Sequence, residues 1–390
     1  MGSRSARLGR RQFLKGASAA ALGAAASLYA PAAVAQELGT QATDMPRRRL
    51  GRTNLEISAL VIGEVTDHSI FHRAWQMGVN YWHKFGNWDP PEFFKQLDRD
   101  SFYCDAVVDT LDYDGAVAQF EWFCKKTGLE KIDFFKLHSP YQNAGDVRRN
   151  DQIFRAFDYL KRQGKCDYLA IAQHGRVAEV LEACIETGHF DAIQPPINVL
   201  SPPEVWRMID RAKAADVGII AKKTLCGGPR NWPRRRAEID RKIAPHLKPG
   251  ESLAKALIKY ALRTPGVAAV SPWIENFSQL QEDAAAIKEG ISEGERQALE
   301  EFRREMAGAY CTMCGTCTVG CPQGVAIPDI LRFATYAEGY AQPYRARALY
   351  AQLPPPERAA ACRDCGQCER ACPGGLPVRQ MLREAHTILA

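Results

Sequence analysis

Residues 132–172 read IDFFKLHSPYQNAGDVRRNDQIFRAFDYLKRQGKCDYLAIA. The runs Ile132–Leu137 and Tyr168–Ala172 are short, apolar and bounded by turn residues, which is typical of buried strands. Between them, apolar residues recur at helical spacing over Val147–Gln163. The stretch therefore predicts a strand–helix–strand unit whose two strands run parallel.

The same alternation extends in both directions, from Met45 to about Ala307. The candidate strands are Ala59–Gly63, Val79–Trp82, Phe102–Val108, Ile132–Leu137, Tyr168–Ala172, Phe190–Gln194, Val217–Ala221 and Val267–Val270. Eight such repeats predict a TIM (β/α)8 barrel, in which the chemistry lies at the C-terminal ends of the strands. We place this barrel at residues 45–290 and a helical linker at residues 291–307.

Two regular runs contain eight of the thirteen cysteines. They are Cys311-x2-Cys314-x2-Cys317-x3-Cys321-Pro322 and Cys362-x2-Cys365-x2-Cys368-x3-Cys372-Pro373. Each has the spacing of a bacterial ferredoxin, in which soft thiolates hold a 4Fe-4S cluster. We predict two 4Fe-4S clusters in a domain at residues 308–390. Zinc is the alternative, because paired Cys-x2-Cys motifs also build tetrahedral sites, but the repeated x3-Cys-Pro ending favours the clusters.

The two runs are expected to share ligands. In two-cluster ferredoxins the last cysteine of each run binds the other cluster. One expected set is therefore Cys311, Cys314, Cys317 and Cys372, and the other is Cys362, Cys365, Cys368 and Cys321. Pro328–Ala341 and Tyr344–Leu353, between the runs, have helical patterns, so the module resembles a helical ferredoxin. The remaining cysteines are interpreted as buried thiols without a function: Cys104, Cys124, Cys166, Cys184 and Cys226.

The first 35 residues have the order of an export signal. The pair Arg10-Arg11 precedes an alanine-rich run to Ala30, and Ala33-Val34-Ala35 is a small-residue cleavage site. This predicts a twin-arginine signal that engages the export machinery, and a periplasmic mature protein with no membrane span. A membrane anchor is the alternative, but the run is short for a span of about 20 residues.

The net charge of +6 includes five basic residues and no acidic residue before position 36, so the remainder carries 6 − 5 = +1. With 46% hydrophobic and 25% charged residues, the full sequence has an ordinary globular composition. It has no interleaved basic and aromatic pattern, which argues against nucleic acid as a partner.

Several segments of the body resemble aldo/keto reductases. The matching segments are, in chain order, Met45–Thr53 (the family's N-terminal hairpin), Gly78–Trp82 (second strand), Ile132–His138 (fourth), Phe190–Gln194 with Asn198 (sixth) and Gly218–Leu225 with Gly227-Gly228 (seventh). The resemblance spans Met45 to about Ala286. Together with the cysteine runs, it indicates the branch of the family that carries a C-terminal ferredoxin domain.

The resemblance implies a catalytic tetrad of Asp, Tyr, Lys and His, in which the tyrosine donates a proton to the substrate carbonyl. This chain has His83 and Trp88 where the family has the Asp and the Tyr. No lysine lies between Lys95 and Lys125, where the strand carrying the tetrad lysine should end. Only His138 matches. A general acid needs a titratable group, so carbonyl reduction by this tetrad is not expected.

The resemblance also implies NADPH, but the segment after the eighth strand, Ser271–Asn276, places Glu275 where a basic residue is expected. A carboxylate there repels the 2′-phosphate. A soluble nicotinamide pool is also not expected outside the cytoplasm. Both points argue against NADP(H) as a cofactor.

Polar residues at the predicted strand ends are the candidate site. His83 and Lys84 follow the second strand, His138 the fourth and His174 the fifth, and Lys222-Lys223 end the seventh. Histidines there could hold a metal, relay protons or bind an anionic substrate; the alternative is hydrogen bonding within a polar rim. We take His83, Lys84 and His138 as the candidate catalytic residues.

These observations favour a periplasmic iron–sulfur oxidoreductase that passes electrons between a redox partner protein and a small-molecule substrate at a remodelled barrel mouth. One alternative is a non-enzymatic electron-transfer or scaffold subunit with a degenerate barrel, and another is a working NADPH-dependent reductase. A mouth plugged by Trp82, Trp88 and Trp273 would favour the scaffold, whereas an open pocket with His and Lys would favour the enzyme.

Overall fold

The structure is a computed structural model that describes residues 41–63, 65, 67–83, 94–226 and 236–390. In these residues, two strands form an antiparallel hairpin and seven form a parallel sheet in sequence order. The strands are β1 (Arg47–Arg49), β2 (Glu56–Ser58), β3 (Tyr81–Trp82), β4 (Tyr103–Val108), β5 (Phe134–His138), β6 (Tyr168–Ala172), β7 (Ala192–Gln194), β8 (Gly218–Lys222) and β9 (Val267–Ser271).

The segment 59–63, predicted as the first barrel strand, joins the two edges of the parallel sheet. Leu60 bridges Val270 of β9, and Ile62 bridges Trp82 of β3, both in parallel orientation. Each of the eight predicted strand positions therefore lies in one closed β/α barrel. The predicted fold class is confirmed.

Nine helices are described in the barrel part of the chain. They are α1 (His68–Gln76), α2 (Tyr113–Thr127), α3 (Ala144–Arg149), α4 (Gln152–Arg162), α5 (Val177–Thr187), α6 (Pro203–Ala214), α7 (Arg236–Ile243), α8 (Leu253–Arg263) and α9 (Phe277–Lys288). The prediction of a single helix over Val147–Gln163 is wrong, because two separate helices, α3 and α4, cover this stretch. Asn150 has the extended dihedrals φ −98° and ψ 97°, and Asn and Asp favour helix ends over helix interiors.

Along each strand, successive side chains point alternately into the barrel interior and outward to the surrounding helices. On β5, Phe134 and Lys136 lie two residues apart and face the interior. Phe135 between them faces outward and stacks on Phe120 of α2, with ring centroids 5.6 Å apart. The lower interior is apolar and is closed by Leu50 and Ile57 of the N-terminal hairpin region. The polar residues that follow on the same strands therefore collect at the upper end.

Helix α10 (Glu293–Met306) follows the barrel in the predicted linker region. It begins with a capping box, in which Ser292 and Glu295 bond each other's backbone N–H groups. The fully buried Glu295 also accepts a hydrogen bond from Lys259 of α8 at 2.6 Å. Apolar residues of α10 such as Phe302 pack against α7 and α8. The helix is thus fixed to the barrel by both an apolar contact and a buried ion pair.

We expect Lys259→Met to destabilise this junction strongly, because it leaves the Glu295 carboxylate buried without its cation. Breaking such a pair costs about 3 kcal/mol, which lowers the melting temperature of a chain of this size by about 5 °C. Arg303→Met is the control, since Arg303 pairs with Glu300 at the surface and such pairs contribute little. Thermal unfolding followed by circular dichroism measures both. Equal shifts in the two variants would contradict the expectation.

The C-terminal part is helical, as predicted. Its helices are α11 (Thr316–Val319), α12 (Ile327–Glu338), α13 (Pro343–Gln352), α14 (Gln367–Ala371) and α15 (Val378–Leu389). The helices predicted at Pro328–Ala341 and Tyr344–Leu353 correspond to α12 and α13. These helices and the cysteine loops share one apolar core. Among the described residues, no helix is long and apolar enough to cross a membrane.

Candidate functional site

A cavity of about 730 Å³, hereafter the mouth cavity, opens at the C-terminal ends of the barrel strands. The strands contribute these lining residues: His83, Lys136, His138, Ala172, His174, Lys222 and Ser271. The C-terminal helical part contributes another group: Tyr336, Gly339, Tyr340, Gln342 and Arg345. The wall of the cavity is therefore built from both parts of the chain.

A buried charged network lies beneath the mouth cavity. The Asp105 carboxylate on β4 contacts Nζ of Lys136 on β5, and its other oxygen lies 2.5 Å from Nδ1 of His83. The Tyr81 hydroxyl donates to the same oxygen at 3.3 Å. All four side chains are almost fully buried. Lys136 thus compensates the charge that Asp105 brings into the barrel.

This network fixes the protonation of His83. Burial lowers the pKa of His83 well below its ordinary value, and the Lys222 and Lys136 charges add to this effect. Burial alone would raise the pKa of Asp105, but the cations prevail and lower it. A carboxylate can only accept, so Nδ1 of the neutral imidazole donates to Asp105. Nε2, which is buried and has no hydrogen-bond partner among the described residues, is therefore left as an unprotonated acceptor.

His138 and His174 form a second contact at the strand ends. Their Nε2 atoms lie 3.0 Å apart, and the rings meet edge to face with centroids at 4.9 Å. One nitrogen must donate and the other accept, so the two facing atoms carry one proton between them. In the described part of the chain, no three His, Cys, Asp or Glu side chains converge to hold a single metal ion. The three predicted histidines line one cavity, but only two of them touch.

Residues 236–283 give another part of the cavity wall an acidic character. The carboxyl groups of the described lining all come from this segment: Asp240, Glu251, Glu275, Glu282 and Asp283. Arg236 in the same segment is already paired with Asp240 at 2.6 Å. Burial and the neighbouring Glu282 raise the pKa of Asp283 well above its usual value, which favours the neutral form of this carboxyl. The strand ends contribute the cations, and this segment contributes the anions.

The two tryptophans that the structure describes at the mouth differ in position. Trp82 packs outward against Phe71 and Phe94, with ring centroids at 5.4 and 5.0 Å. Trp273 lines the mouth cavity and approaches Tyr340, with ring centroids at 5.9 Å. Trp88 and the candidate Lys84 lie outside the described residues. Neither described tryptophan closes the cavity.

Lys223 links the barrel mouth to the C-terminal part. It follows β8 in a left-handed conformation, φ 51°, and its Nζ lies 5.5 Å from the ring centroid of Tyr336 on α12. Burial lowers the pKa of Lys223, and Cys311 is among the groups whose charge acts on it. Lys223 therefore lies between the mouth cavity and the first cysteine run.

The eight cysteines of the two runs surround two smaller cavities. The first, of about 190 Å³, is lined by Cys311, Cys314, Cys317 and Cys372. The second, of about 20 Å³, is lined by Cys321, Cys362, Cys365 and Cys368. None of the chain's thirteen cysteines, all within the described residues, forms a disulfide. Each cavity thus combines three thiols from one run with the last thiol of the other.

The two cysteine loops follow the same backbone course. Met313 and Asp364 precede the second cysteine of each run with φ of 57° and 56°. Gly315 and Gly366 follow it with φ of 82° and 74°, values that favour glycine. The N–H groups of Met313 and Asp364 donate to the Sγ of the first cysteine in their own loop, at 3.4 and 3.5 Å. Both loops are thus shaped so that backbone donors face thiol sulfurs.

The first loop also contacts the barrel directly. The backbone N–H of Arg176, before α5, donates to the carbonyl oxygen of Met313 at 2.9 Å. A Cβ atom at Gly315 would lie 2.5 Å from Cγ of Arg176. Gly315 is therefore required both by its positive φ and by the close approach of the barrel.

The sequence-based predictions missed three residues of this region. Asp105 and Lys136 were assigned only to strands, although a charged residue at an interior position of an apolar strand indicates a buried polar site. Tyr336 was assigned only to a helix. No local pattern shows that this helix reaches the barrel mouth.

Comparisons with known proteins agree with this architecture. Residues 104–304 match the model of the aldo/keto reductase family, and residues 310–376 match a 4Fe-4S dicluster domain, so the predicted domain types are confirmed. The structure resembles the holo form of aldo-keto reductase AKR11C1 from Bacillus halodurans, with a TM-score of 0.55, 19% identity, and coverage of 66% of this chain and 96% of that one. The apo form of the same protein gives a TM-score of 0.53, 19% identity, and coverage of 66% and 95%. A search of curated sequences found no match.

Proposed function

The chain belongs to the aldo/keto reductase family and carries a 4Fe-4S dicluster domain, from which we propose that it is an iron–sulfur oxidoreductase acting on a substrate in the mouth cavity. The observation that carries this proposal is the shared wall of the cavity. Lys223 of the barrel contacts Tyr336 of the C-terminal part and lies within the electrostatic reach of Cys311. Substrate and cluster sites are thus neighbours in one structure.

We propose two 4Fe-4S clusters, each held by four cysteines. The donor set fits this group, because soft thiolates line both cavities and backbone N–H groups already face two of the sulfurs. The proposed ligands are Cys311, Cys314, Cys317 and Cys372 for one cluster, and Cys362, Cys365, Cys368 and Cys321 for the other. Thiols spread around a cavity suit a cluster better than a single zinc ion. When bound, such clusters supply one-electron transfer.

An external redox protein is the proposed electron source or acceptor. Cys365 is the exposed cysteine of the eight, so the second cavity lies closest to solvent. In the first cavity Cys311 is half-buried and Cys317 is buried, and burial raises their pKa values to about 12 and about 11. The exposure of Cys365 suits a chain of sites in which the second cluster meets the partner and the first meets the mouth cavity.

Within the cavity, we propose that His83 exchanges protons with the substrate. His83 lines the cavity, Asp105 holds its Nδ1, and its buried Nε2 has no hydrogen-bond partner among the described residues. His138, in contact with His174, is the second proposed proton-carrying group. Lys222 and Lys223 supply positive charge that favours a substrate with an anionic group. The open cavity and its convergent His and Lys side chains favour an enzyme over a scaffold.

We propose that NADP(H) is not the reductant. Four ionisable carboxylates from residues 236–283 line the cavity, and the single arginine of that segment in the lining is engaged by Asp240. A nicotinamide dinucleotide carries several phosphate charges, which these carboxylates would repel. We also propose the periplasm as the location, on the basis of the twin-arginine pattern in residues 1–35, which lie outside the described residues.

The full chain, purified anaerobically, tests this proposal. We expect about eight irons and eight sulfides per chain, clusters that dithionite reduces, and no reduction by NADPH or NADH within minutes. Optical and paramagnetic-resonance titrations measure this. Rapid cluster reduction by NADPH would contradict the loss of the nicotinamide site, and zinc in place of iron would reject the redox function.

A further inference from the structure

Tyr336 is the only tyrosine of the described chain whose ring lies against three cations. Nζ of Lys223 and the guanidinium carbons of Arg332 and Arg345 lie 5.5, 5.7 and 5.4 Å from its ring centroid. Arg332 also donates to the Tyr336 hydroxyl at 3.3 Å. The cations come from three elements: the loop after β8, α12 and α13. Such a constellation stabilises a phenolate far more than a neutral phenol.

The charges that face Tyr336 from the neighbouring elements are all positive. Asp329 on its own helix is engaged by Arg332 at 2.6 Å, and Tyr340 stacks beside it with ring centroids 5.7 Å apart. Burial raises the pKa of Tyr336, but Lys223, Arg332 and Arg345 outweigh burial and lower it to about 8. Tyr340 lacks such neighbours, and burial raises its pKa above the ordinary value.

Both tyrosines line the mouth cavity together with Trp273 and Arg345. A planar substrate can stack on this aromatic wall while Lys222, Lys223 or Arg345 attracts an anionic group. The reducible atom of the substrate would then lie against the hydroxyl of Tyr336, whose lowered pKa favours proton donation.

We propose that Tyr336, supplied by the C-terminal part of the chain, is the catalytic residue that donates a proton to the substrate in the mouth cavity. This inference rests on the proposed oxidoreductase function and deepens it by assigning the direction, reduction of the substrate, hereafter the reductase function. For a carbonyl substrate the balance is one C=O group plus two electrons and two protons, giving one CH–OH group. Tyr336 gives one proton to the carbonyl oxygen and recovers it from solvent. The second proton reaches the substrate carbon from solvent through the open cavity, and the electrons come from a one-electron carrier protein through the proposed clusters.

The first test does not depend on turnover. The ultraviolet difference spectrum of the loaded wild type minus Tyr336→Phe, recorded from pH 6 to 11, isolates the ionisation of one tyrosine. We expect a midpoint near pH 8 and a shift to higher pH in Lys223→Met, because a neighbouring cation is lost. Ionisation only above about pH 10 would overturn the proposal.

The second test uses phenylglyoxylate as the probe substrate and reduced methyl viologen as the electron donor, with mandelate as the measured product. We expect Tyr336→Phe to slow mandelate formation by about 100-fold. The wild-type rate should fall as the pH rises above about 8, since the donor is then deprotonated, and this limb should vanish in the variant. Lys223→Met should move the limb to higher pH. A purely structural role would not move it.

Tyr344→Phe is the matched control, because Tyr344 on α13 is 86% exposed and should leave the rate unchanged. Iron content and paramagnetic-resonance spectra must match the wild type in every variant compared. If wild type and Tyr336→Phe form mandelate at the same rate, the inference about Tyr336 is wrong and the reductase function stands. If the wild type with reduced clusters forms no mandelate, the reductase function is rejected, and the inference with it.

Discussion

Replacing Cys372 by Ser should remove the same four irons as replacing Cys314, although the two cysteines belong to different runs. Both line the first cavity, which draws three thiols from the first run and one from the second. Each single variant should therefore retain about four of eight irons, because a 4Fe-4S cluster that lacks one thiolate is lost as a unit. The retained cluster should be the same one in both, as judged by its paramagnetic-resonance spectrum.

Double variants separate crossed from uncrossed ligation. The pair Cys314→Ser and Cys372→Ser should still retain about four irons, since both changes affect one cluster. The pair Cys365→Ser and Cys372→Ser should retain none, because Cys365 lines the second cavity. Uncrossed runs would give the reverse result. Cys184→Ser, a change of a buried cysteine on α5 outside both cavities, is the control and should retain all irons.

The second large effect is expected at the buried network of the barrel. Asp105→Asn leaves the Lys136 ammonium, 1% exposed, without the carboxylate that it contacts. Breaking a buried pair in this way costs about 3 to 5 kcal/mol. We therefore expect the melting temperature to fall by at least about 5 °C. Lys136→Met should have a similar effect, because it leaves Asp105 buried without its main cation.

The double variant Asp105→Leu/Lys136→Met distinguishes a broken pair from a general packing defect. Removing both charges together should restore most of the lost stability, since apolar residues can replace a buried pair at little cost. The double-mutant cycle, completed by the single variants Asp105→Leu and Lys136→Met, should thus show a coupling of more than about 2 kcal/mol. Additive losses would show that Asp105 and Lys136 act independently. Arg49→Met is the control, because Arg49 pairs with Asp216 at the surface.

The sequence predicted the barrel well because its strands are short apolar runs that recur between amphipathic helices. It also located His83 and His138, which follow strands and therefore reach the mouth. It did not show what these histidines contact. Asp105 and His83 lie on neighbouring strands, and their contact depends on the register of β3 against β4, in which Trp82 pairs with Cys104.

The proposed proton donor illustrates a second limit of prediction from the sequence. No lysine lies between Lys95 and Lys125, so the sequence predicts that the family's tetrad does not supply the proton here. The structure places Lys136 on the next strand and brings Tyr336 to the cavity from a helix beyond the barrel. Contacts between residues so distant in the chain depend on domain packing, which has no local pattern.

The crossed arrangement of the cysteine cavities has a consequence for biosynthesis. During translation, the first run leaves the ribosome well before Cys372, so the first cavity has only three of its thiols for that interval. The second cavity needs Cys321 from the earlier run and cannot form before Cys368 has been made. Neither proposed cluster site has all four of its thiols until synthesis has reached Cys368 and Cys372. Loading of the proposed clusters is therefore expected only after these cysteines have been made, and a chain truncated before Cys362 is expected to hold neither cluster.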